Sequence, residues 1–166
     1  MMAFVRGPST WIGPGQVYVK LLPDGEPVQL TSDDTIKADP TFSPDGSRIA
    51  YTVLDPQDFH WDTWVVPALG GRPQLLLRNA SGLTWTGARQ VLFSEVKSGV
   101  HMGIVAAEES RLGARNVYLP TDEPAMAHRS YSSPDARWFC LLRWIRTISG
   151  CRAAWFQWMA LRRGGK

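Results

Sequence analysis

Several features that often reveal a protein's class are scarce or missing in this 166-residue chain. Two cysteines, Cys140 and Cys151, are too few for a disulfide framework. No stretch approaches the roughly 18 consecutive apolar residues of a membrane-spanning helix. No G-x-S-x-G nucleophile turn, glycine-rich phosphate loop or catalytic-loop aspartate motif occurs, so hydrolase and kinase signatures are lacking. The remaining composition, 44% hydrophobic and 20% charged, is ordinary for a globular protein.

A tetrapeptide of turn residues recurs along the chain. Ser43-Pro44-Asp45-Gly46 has a second copy at Ser133-Pro134-Asp135-Ala136, and Thr84-Trp85-Thr86-Gly87 is a shifted version between them. Proline presets φ, aspartate caps the turn and Gly46 takes the position that needs φ above zero, so Ala136 predicts a strained or different turn. A similar strand-like phrase follows each copy, at residues 47–52, 88–94 and 137–142. The period in the low forties predicts a repeat architecture.

A hairpin pattern forms the second half of each unit. Residues 16–30 and 62–76 both read as a strand, a glycine-containing turn, a proline (Pro27 or Pro73) and a short edge strand. A weaker third copy runs through residues 102–107 and 116–119. Four short strands in about 40–45 residues are typical of a propeller blade. We therefore predict an all-β fold, with the 12 prolines and 15 glycines at its turns.

These residues resemble the WD-repeat-like β-propellers of the TolB type over about residues 3–142, and residues 38–46 match the innermost strand and turn of such blades. Residues 16–131 also resemble propeller segments of bacterial proteins, some of which carry a serine/threonine kinase domain. The resemblance implies a sensory or protein-binding segment and supplies no catalytic residue. Propellers host many unrelated activities, so it predicts the fold better than the function.

The expected architecture is a partial β-propeller of about three four-stranded antiparallel blades. The repeat places blade remnants at about residues 3–31, 38–78, 82–120 and 126–142. In this register the chain begins one strand into a blade and holds fewer than four blades, whereas closed propellers have about four to eight. Another chain would then complete the ring, or the sequence belongs to a longer protein.

The last residues depart from the repeat. Residues 1–135 hold 11 Lys and Arg and all 15 Asp and Glu (net −4), whereas residues 136–166 hold 7 Lys and Arg and no acid (net +7). A basic tryptophan-rich tail could contact nucleic acid or a membrane surface. We favour another hypothesis, in which the irregular tail at residues 143–166 is a frameshifted blade continuation. In the reading frame that takes the third base of each codon and the first two bases of the next, Trp144-Ile145 must encode aspartate, Trp155-Phe156 valine, and residues 158–160 aspartate-glycine. This frame restores acidic residues that the tail lacks and a turn where the repeat requires one.

Candidate chemical sites are few, and we predict no catalytic, cofactor-binding or metal-binding residue. His60, His101 and His128 occupy different phases of the repeat and lack metal-ligand spacing. Glu108-Glu109 reads as a solvated turn, and residues 32–35 lack the ligand spacing of a calcium loop. The recurring aromatics are expected in the core between sheets rather than on a base-stacking surface, and the net charge of −4 on residues 1–135 argues against nucleic-acid binding. They are Tyr18, Phe42, Tyr51, Trp64, Trp85, Phe93 and Tyr118.

The leading functional hypothesis is a non-enzymatic scaffold or sensor segment of a larger bacterial protein. It would bind a protein or small ligand, its partner being another protein or a covalently linked domain. The alternative is the substrate-gating propeller of a serine peptidase whose catalytic domain lies elsewhere. A truncated pseudogene product is a third possibility, and the sequence leaves a periplasmic or cytoplasmic location open.

Overall fold

The structure is a computed structural model that describes residues 1–8, 13–58, 60–99, 101–121, 125–135, 137–147 and 150–160, with side chains described as far as Trp144. These residues form fourteen β-strands. The described part of the chain contains no helix long and apolar enough to cross a bilayer. The chain divides into two compact units, Met1–Ser81 and Gly82–Lys166.

The first unit contains two antiparallel sheets. Blade 1 has the order β1-β2-β3, and blade 2 has the order β4-β5-β6-β7. Proline directly precedes the short outer strand of each, at Pro27 and Pro73, as the hairpin pattern predicts. The strands are β1 (Met2–Arg6), β2 (Gln16–Lys20), β3 (Val28–Gln29), β4 (Ile36–Phe42), β5 (Arg48–Asp55), β6 (His60–Pro67) and β7 (Gln74–Leu77).

The second unit contains the remaining strands. Blade 3 comprises β8 to β11, and blade 4 comprises β12 to β14. A single parallel residue pair, Met102 with Met126, joins β10 to β12, so the two blades share one sheet through one bridge. The strands are β8 (Ser81–Trp85), β9 (Gln90–Ser98), β10 (His101–Glu108), β11 (Arg115–Tyr118), β12 (Ala125–Ser132), β13 (Trp138–Thr147) and β14 (Gly150–Ala160).

Each unit has an apolar core between its blades. In the first unit, Val17 and Val19 of blade 1 belong to one buried cluster with Ile49, Tyr51 and Val66 of blade 2. In the second unit, Leu92 and Ile104 of blade 3 pack with Ala127, Phe139 and Leu141 of blade 4. Face-to-face packing of successive sheets is the arrangement that blades need, because each sheet buries its apolar face against the next.

The repeated turn has the same hydrogen bonds in both copies. Ser43 Oγ accepts from the backbone N–H of Arg48 at 3.0 Å and donates to Asp45 Oδ1 at 2.6 Å. Ser133 Oγ accepts from Trp138 at 3.0 Å and donates to Asp135 at 2.5 Å. The repeat is therefore confirmed in the side-chain network. The predicted effect of Ala136 on the second turn falls outside the described residues.

The shifted copy of the turn is displaced from the predicted alignment. Thr86, rather than Thr84, takes the place of Ser43: its backbone N–H donates to Gln90 at 2.8 Å, as that of Ser43 donates to Arg48 at 2.9 Å. The blade 3 turn is one residue shorter and lacks the proline and aspartate. Trp85 therefore ends strand β8, and its side chain is available for a different contact.

Beyond the repeat, residues 143–147 continue β13, and β14 pairs with it in antiparallel register from Trp138–Ala160 to Thr147–Gly150. The edge of β13 thus provides β14 with backbone hydrogen-bonding partners. Cys140 is a free cysteine that lies half-buried on β13.

Candidate functional site

The β10–β11 connection of blade 3 is a tight loop with a firm backbone framework. The N–H of Glu109 donates to the carbonyl of Arg89 at 2.9 Å, and the N–H of Glu108 donates to Leu112 at 3.0 Å. Arg111 closes the turn by donating to Glu108 at 2.8 Å. Backbone hydrogen bonds thus join the loop to Arg89, the residue directly before β9, and close the loop on itself.

Arg111 has a backbone conformation that suits glycine. Its φ is 67°, and in blade 2 the corresponding residue is Gly70, with φ of 93° and the same N–H bond to Pro67. For a residue with a Cβ this region costs about 1–2 kcal/mol. The side chain provides compensation, because the guanidinium is ion-paired with Glu95 and its carbon lies 5.2 Å from the centroid of the Phe93 ring.

Glu95 is the centre of a small charged cluster. Partial burial would raise its pKa, but the hydrogen bond and charge of Lys97 and those of Arg111 lower the pKa by more. Glu95 is therefore ionised at neutral pH and holds both cations. This pairing keeps Arg111 in its unfavourable backbone conformation.

A second side-chain contact holds Glu109, the first residue of the same loop. The indole Nε1 of Trp85 donates to Glu109 Oε1 at 2.6 Å. Glu109 is half-buried, so the sequence-based picture of Glu108-Glu109 as a merely solvated turn is wrong for this residue. Trp85 also differs from a purely apolar core residue. Together with Arg111, this contact fixes the loop before any ligand arrives.

A cleft of about 490 Å³ lies beside this loop. Its apolar part is formed by Val91, Leu92, Ala106, Ala107 and Leu112. Leu112 is 66% exposed, although it is a large apolar side chain. The polar part of the lining is formed by Thr86, Gln90, Glu108 and Arg115, with Gly113 completing it. A cleft of this size, with an apolar lining and a few polar groups, has the character of a ligand site.

Blade 2 contains a buried lysine that the sequence did not reveal. Lys37 has a fully buried side chain, and its ammonium donates to Asp33 Oδ1 at 2.7 Å and to the carbonyls of Asp33 and Thr35 at 3.1 and 3.2 Å. All three of its protons therefore have acceptors. Partial burial opposes the shift, but the hydrogen bonds from Lys37 and Thr35 lower the pKa of Asp33. The acceptors of these bonds belong to the loop at residues 32–35, which lacks the ligand spacing of a calcium loop.

The first strand of three blades carries a left-handed residue at the same repeat position. Asp39 in β4 and Arg129 in β12 both have φ of 51°, and Gly82 in β8 has φ of 56°. The strand pairing is irregular around Asp39 and around Arg129, so both lie in β-bulges. A Cβ on Gly82 would lie 3.3 Å from the Cα of Arg129, which shows how closely the two first strands of the second unit approach.

The three histidines lie at separate places. His60 is exposed at the start of β6, His101 is buried at the start of β10, and His128 is half-buried in β12. Among the residues that the structure describes, no three His, Cys, Asp or Glu side chains are grouped as metal ligands would be. The prediction that the recurring aromatic residues lie in the core is confirmed for Tyr51 and Phe93, which are buried. Tyr18 instead stacks on Phe4 at 5.7 Å.

The sequence missed Arg111 and Arg115, and it predicted only a solvated turn at Glu108. A closer alignment of the hairpins would have flagged Arg111, because it falls where blade 2 has glycine. Nothing in the sequence alone indicates that Arg115 lines a cleft. Its position depends on the register of β11 against β10.

Comparison with solved structures identifies the fold. TolB from Acinetobacter baumannii is similar with a TM-score of 0.64 at 15% identity, over 98% of this chain and 39% of TolB. Prolyl oligopeptidase B from Galerina marginata gives 0.57 at 14% identity, over 89% of this chain and 27% of the enzyme. The β-propeller domain of the Trilobed protease from Pyrococcus furiosus gives 0.50 at 14%, over 94% and 48%. No protein-family model and no curated protein sequence matches the chain.

These identities are low enough that they show the fold alone. The chain has a β-propeller-like fold similar to TolB and to peptidase propeller domains, which confirms the resemblance inferred from the Ser-Pro-Asp-Gly turns. It spans well under half of TolB and less than a third of the prolyl oligopeptidase.

Proposed function

We propose that this chain is a non-enzymatic binding segment of a larger bacterial protein and that the blade 3 cleft receives its ligand or partner. The observation that carries the proposal is the conformation of Arg111. A left-handed non-glycine residue, compensated by an ion pair with Glu95, maintains one particular loop shape beside a cleft. Strained residues of this kind concentrate at binding and switch sites. A site that is already shaped also avoids part of the ordering cost of binding.

The exposed Leu112 supports the same proposal. Its side chain is 66% exposed beside an apolar lining, an arrangement that a ligand or partner would cover. Single exposed leucines are common, so its importance lies in its position at the cleft. The blade 2 turn carries Leu69, which is 92% exposed and does not line this cleft.

The test is ligand-observed NMR with a panel of small aliphatic and aromatic acids and amides. We expect weak binders to the wild-type chain and to the matched control Leu69→Asp, whereas Leu112→Asp should lose them. Binding that survives Leu112→Asp unchanged, or a panel without any binder, would contradict the proposal. Circular dichroism of both variants checks that the exposed substitutions leave the fold intact.

A second candidate, the substrate-gating propeller of a serine peptidase, is favoured by the similarity to peptidase propellers. The two functions make different predictions about the gene. A G-x-S-x-G hydrolase encoded downstream in frame supports the peptidase segment, whereas a kinase or DNA-binding domain upstream supports the sensor. The same DNA tests the frameshift hypothesis, which fails if the shifted frame after residue 143 stops at once or does not continue the repeat.

A further inference from the structure

The outer face of blade 4, on the side away from blade 3, is apolar and partly exposed. Phe139 and Leu141 of β13 are buried in the core of the second unit. Because side chains alternate along a strand, Cys140 and Leu142 point to the opposite face, and Tyr131 of β12 pairs with Cys140 on that face. Tyr131 is 52% exposed, whereas Cys140 and Leu142 are half-buried. An exposed apolar surface of this kind marks a contact site.

Blade 1 also has an outer face, on the side away from blade 2. Ala3 and Val5 of β1 pack against the core of the first unit. Phe4 lies between them on the strand and therefore points to the outer face, where its ring stacks on that of its cross-strand partner Tyr18 at 5.7 Å. Both rings are half-buried, and Met2 on the same face is 44% exposed. The outer face of blade 1 is thus a partly exposed aromatic surface.

The contact between blades 1 and 2 shows what such an aromatic face packs against. In blade 2, Tyr51 pairs with Trp64, as Phe4 pairs with Tyr18 in blade 1. Tyr51 is buried in the core that joins the two blades, and Trp64 packs against that core. Blade 1 therefore repeats on its outer face the aromatic pair with which blade 2 packs on blade 1.

Blade 4 repeats the other half of the same contact. Ala3 and Val5 lie on the face of blade 1 that packs on blade 2. The hydrogen bonds of the repeated turn align β13 with β5, and strand pairing aligns β5 with β1. In this alignment Cys140 takes the place of Ala3, and Leu142 takes the place of Val5. The outer face of blade 4 is therefore built like the face that receives an aromatic pair.

The charges of the two units favour contact between different copies of the chain. Residues 1–81 hold 6 Lys and Arg and 9 Asp and Glu, whereas residues 82–166 hold 12 Lys and Arg and 6 Asp and Glu. The net charges of −3 and +6 have opposite signs, so the second unit of one copy attracts the first unit of another. A symmetric contact between two second units would instead bring like charges together.

We infer that the outer face of blade 4 binds the outer face of blade 1 of a second copy of this chain. This contact is separate from the blade 3 cleft and goes beyond the proposed function. Phe4 and Tyr18 of one copy pack on Tyr131, Cys140 and Leu142 of the other. Because the two faces differ, each joined pair of chains keeps one free face of each kind, and association continues to larger species or closes into a ring.

The experiment measures the mass of the full chain by light scattering over a series of protein and salt concentrations. We expect oligomers whose average mass falls as the salt concentration rises, because salt screens the attraction between the units. Phe4→Lys changes only the blade 1 face and Tyr131→Lys only the blade 4 face, so each variant alone should be monomeric. Met2→Lys repeats the blade 1 test at a more exposed side chain. Leu69→Lys, in the exposed turn of blade 2, is the matched control and should remain oligomeric.

Mixing the two variants tests the head-to-tail arrangement itself. Phe4→Lys keeps an intact blade 4 face and Tyr131→Lys keeps an intact blade 1 face, so together they should form dimers with one copy of each. Native mass spectrometry with one variant ¹⁵N-labelled identifies these mixed dimers. Circular dichroism checks the fold of each variant, and Met2→Lys takes the place of Phe4→Lys in the mixture if the latter unfolds.

Three results would overturn the inference. A wild-type chain that stays monomeric over the whole concentration series would leave both faces to a different protein or to further blades of a longer chain. Oligomers that persist in every single variant would indicate nonspecific aggregation. Variants that are monomeric alone and do not combine when mixed would indicate a symmetric contact in place of the head-to-tail one.

Discussion

Asp39 and Arg129 adopt the same left-handed backbone conformation, each with φ of 51°, at the same position of two blades. The two side chains have opposite charges, so the repeated element is the backbone bulge and not a side-chain motif. Blade 3 meets the same requirement with Gly82. The bulge lies four residues before the Ser or Thr that begins each turn, and it bends the first strand just before that turn.

The bulge predicts that Gly82 is more sensitive to substitution than other left-handed glycines. Gly82→Ala should cost about 1 kcal/mol of unfolding free energy for its backbone conformation. It should cost about 1 kcal/mol more because the new Cβ meets the Arg129 Cα. Gly99→Ala is the matched control in the same unit, since φ is 52° there and its Cβ would meet no heavy atom within 4 Å. Urea unfolding measures both, and equal losses would refute a close approach at Gly82.

The conformation of Arg111 leads to an unusual order of variant stabilities. Arg111→Ala loses the contacts with Glu95 and Phe93 and keeps the backbone cost, whereas Arg111→Gly loses the contacts and removes that cost. We expect the glycine variant to be the more stable of the two by about 1 kcal/mol in urea unfolding. In an ordinary loop position alanine would be at least as good as glycine, so that result would argue against the left-handed turn.

Removing the charge of the buried Lys37 should destabilise the protein less than removing the charge of its partner, Asp33. Asp33→Asn leaves a buried ammonium without an anion and should cost about 1–3 kcal/mol, a value reduced from the fully buried case because the Asp33 side chain is 51% exposed. Lys37→Met keeps the apolar stem, removes the charge and should cost about 1 kcal/mol or less. Thermal unfolding of the two variants tests this order. The reverse order would mean that the ammonium is not dependent on Asp33.

Because of the aspartate in the repeated turn, we expect the free energy of unfolding to fall at acidic pH. The side-chain hydrogen bond from Ser43, followed by those from the backbone and hydroxyl of Ser47, lowers the pKa of Asp45 to about 2 from 3.8. A lowered folded-state pKa contributes stability that is present above about pH 4 and is lost as the pH falls through about 2. Asp45→Asn should flatten this part of the profile in unfolding experiments between pH 6 and pH 2. Parallel profiles for wild type and variant would contradict it.

Much of the fold could be predicted from the sequence because turns and edge strands use chemically special residues. Ser43, Asp45 and Gly46 identify the turn, and Pro27 and Pro73 identify the outer strands. The sequence pattern places the blade 3 turn at Thr84 instead of Thr86, because Thr86 takes the role of Ser43 without the proline and aspartate that identify the other two turns. The position of Arg115 at the cleft depends on strand register, and the contact between Trp85 and Glu109 depends on tertiary packing. The sequence pattern predicts neither the position of Arg115 nor the contact between Trp85 and Glu109.

Chemical-shift mapping of the ¹⁵N-labelled chain with the tightest binder from the panel of small acids and amides tests the central claim, a binding cleft on blade 3, most directly. We expect the amides of residues 90–92, 106–108 and 112–113 to shift together and to saturate with one affinity. The amides of residues 48–50 and of Val65 and Val66 lie at the corresponding places in blade 2 and serve as an internal control that should not shift. Equal shifts in the two blades, or none at residues 106–108, would contradict the claim.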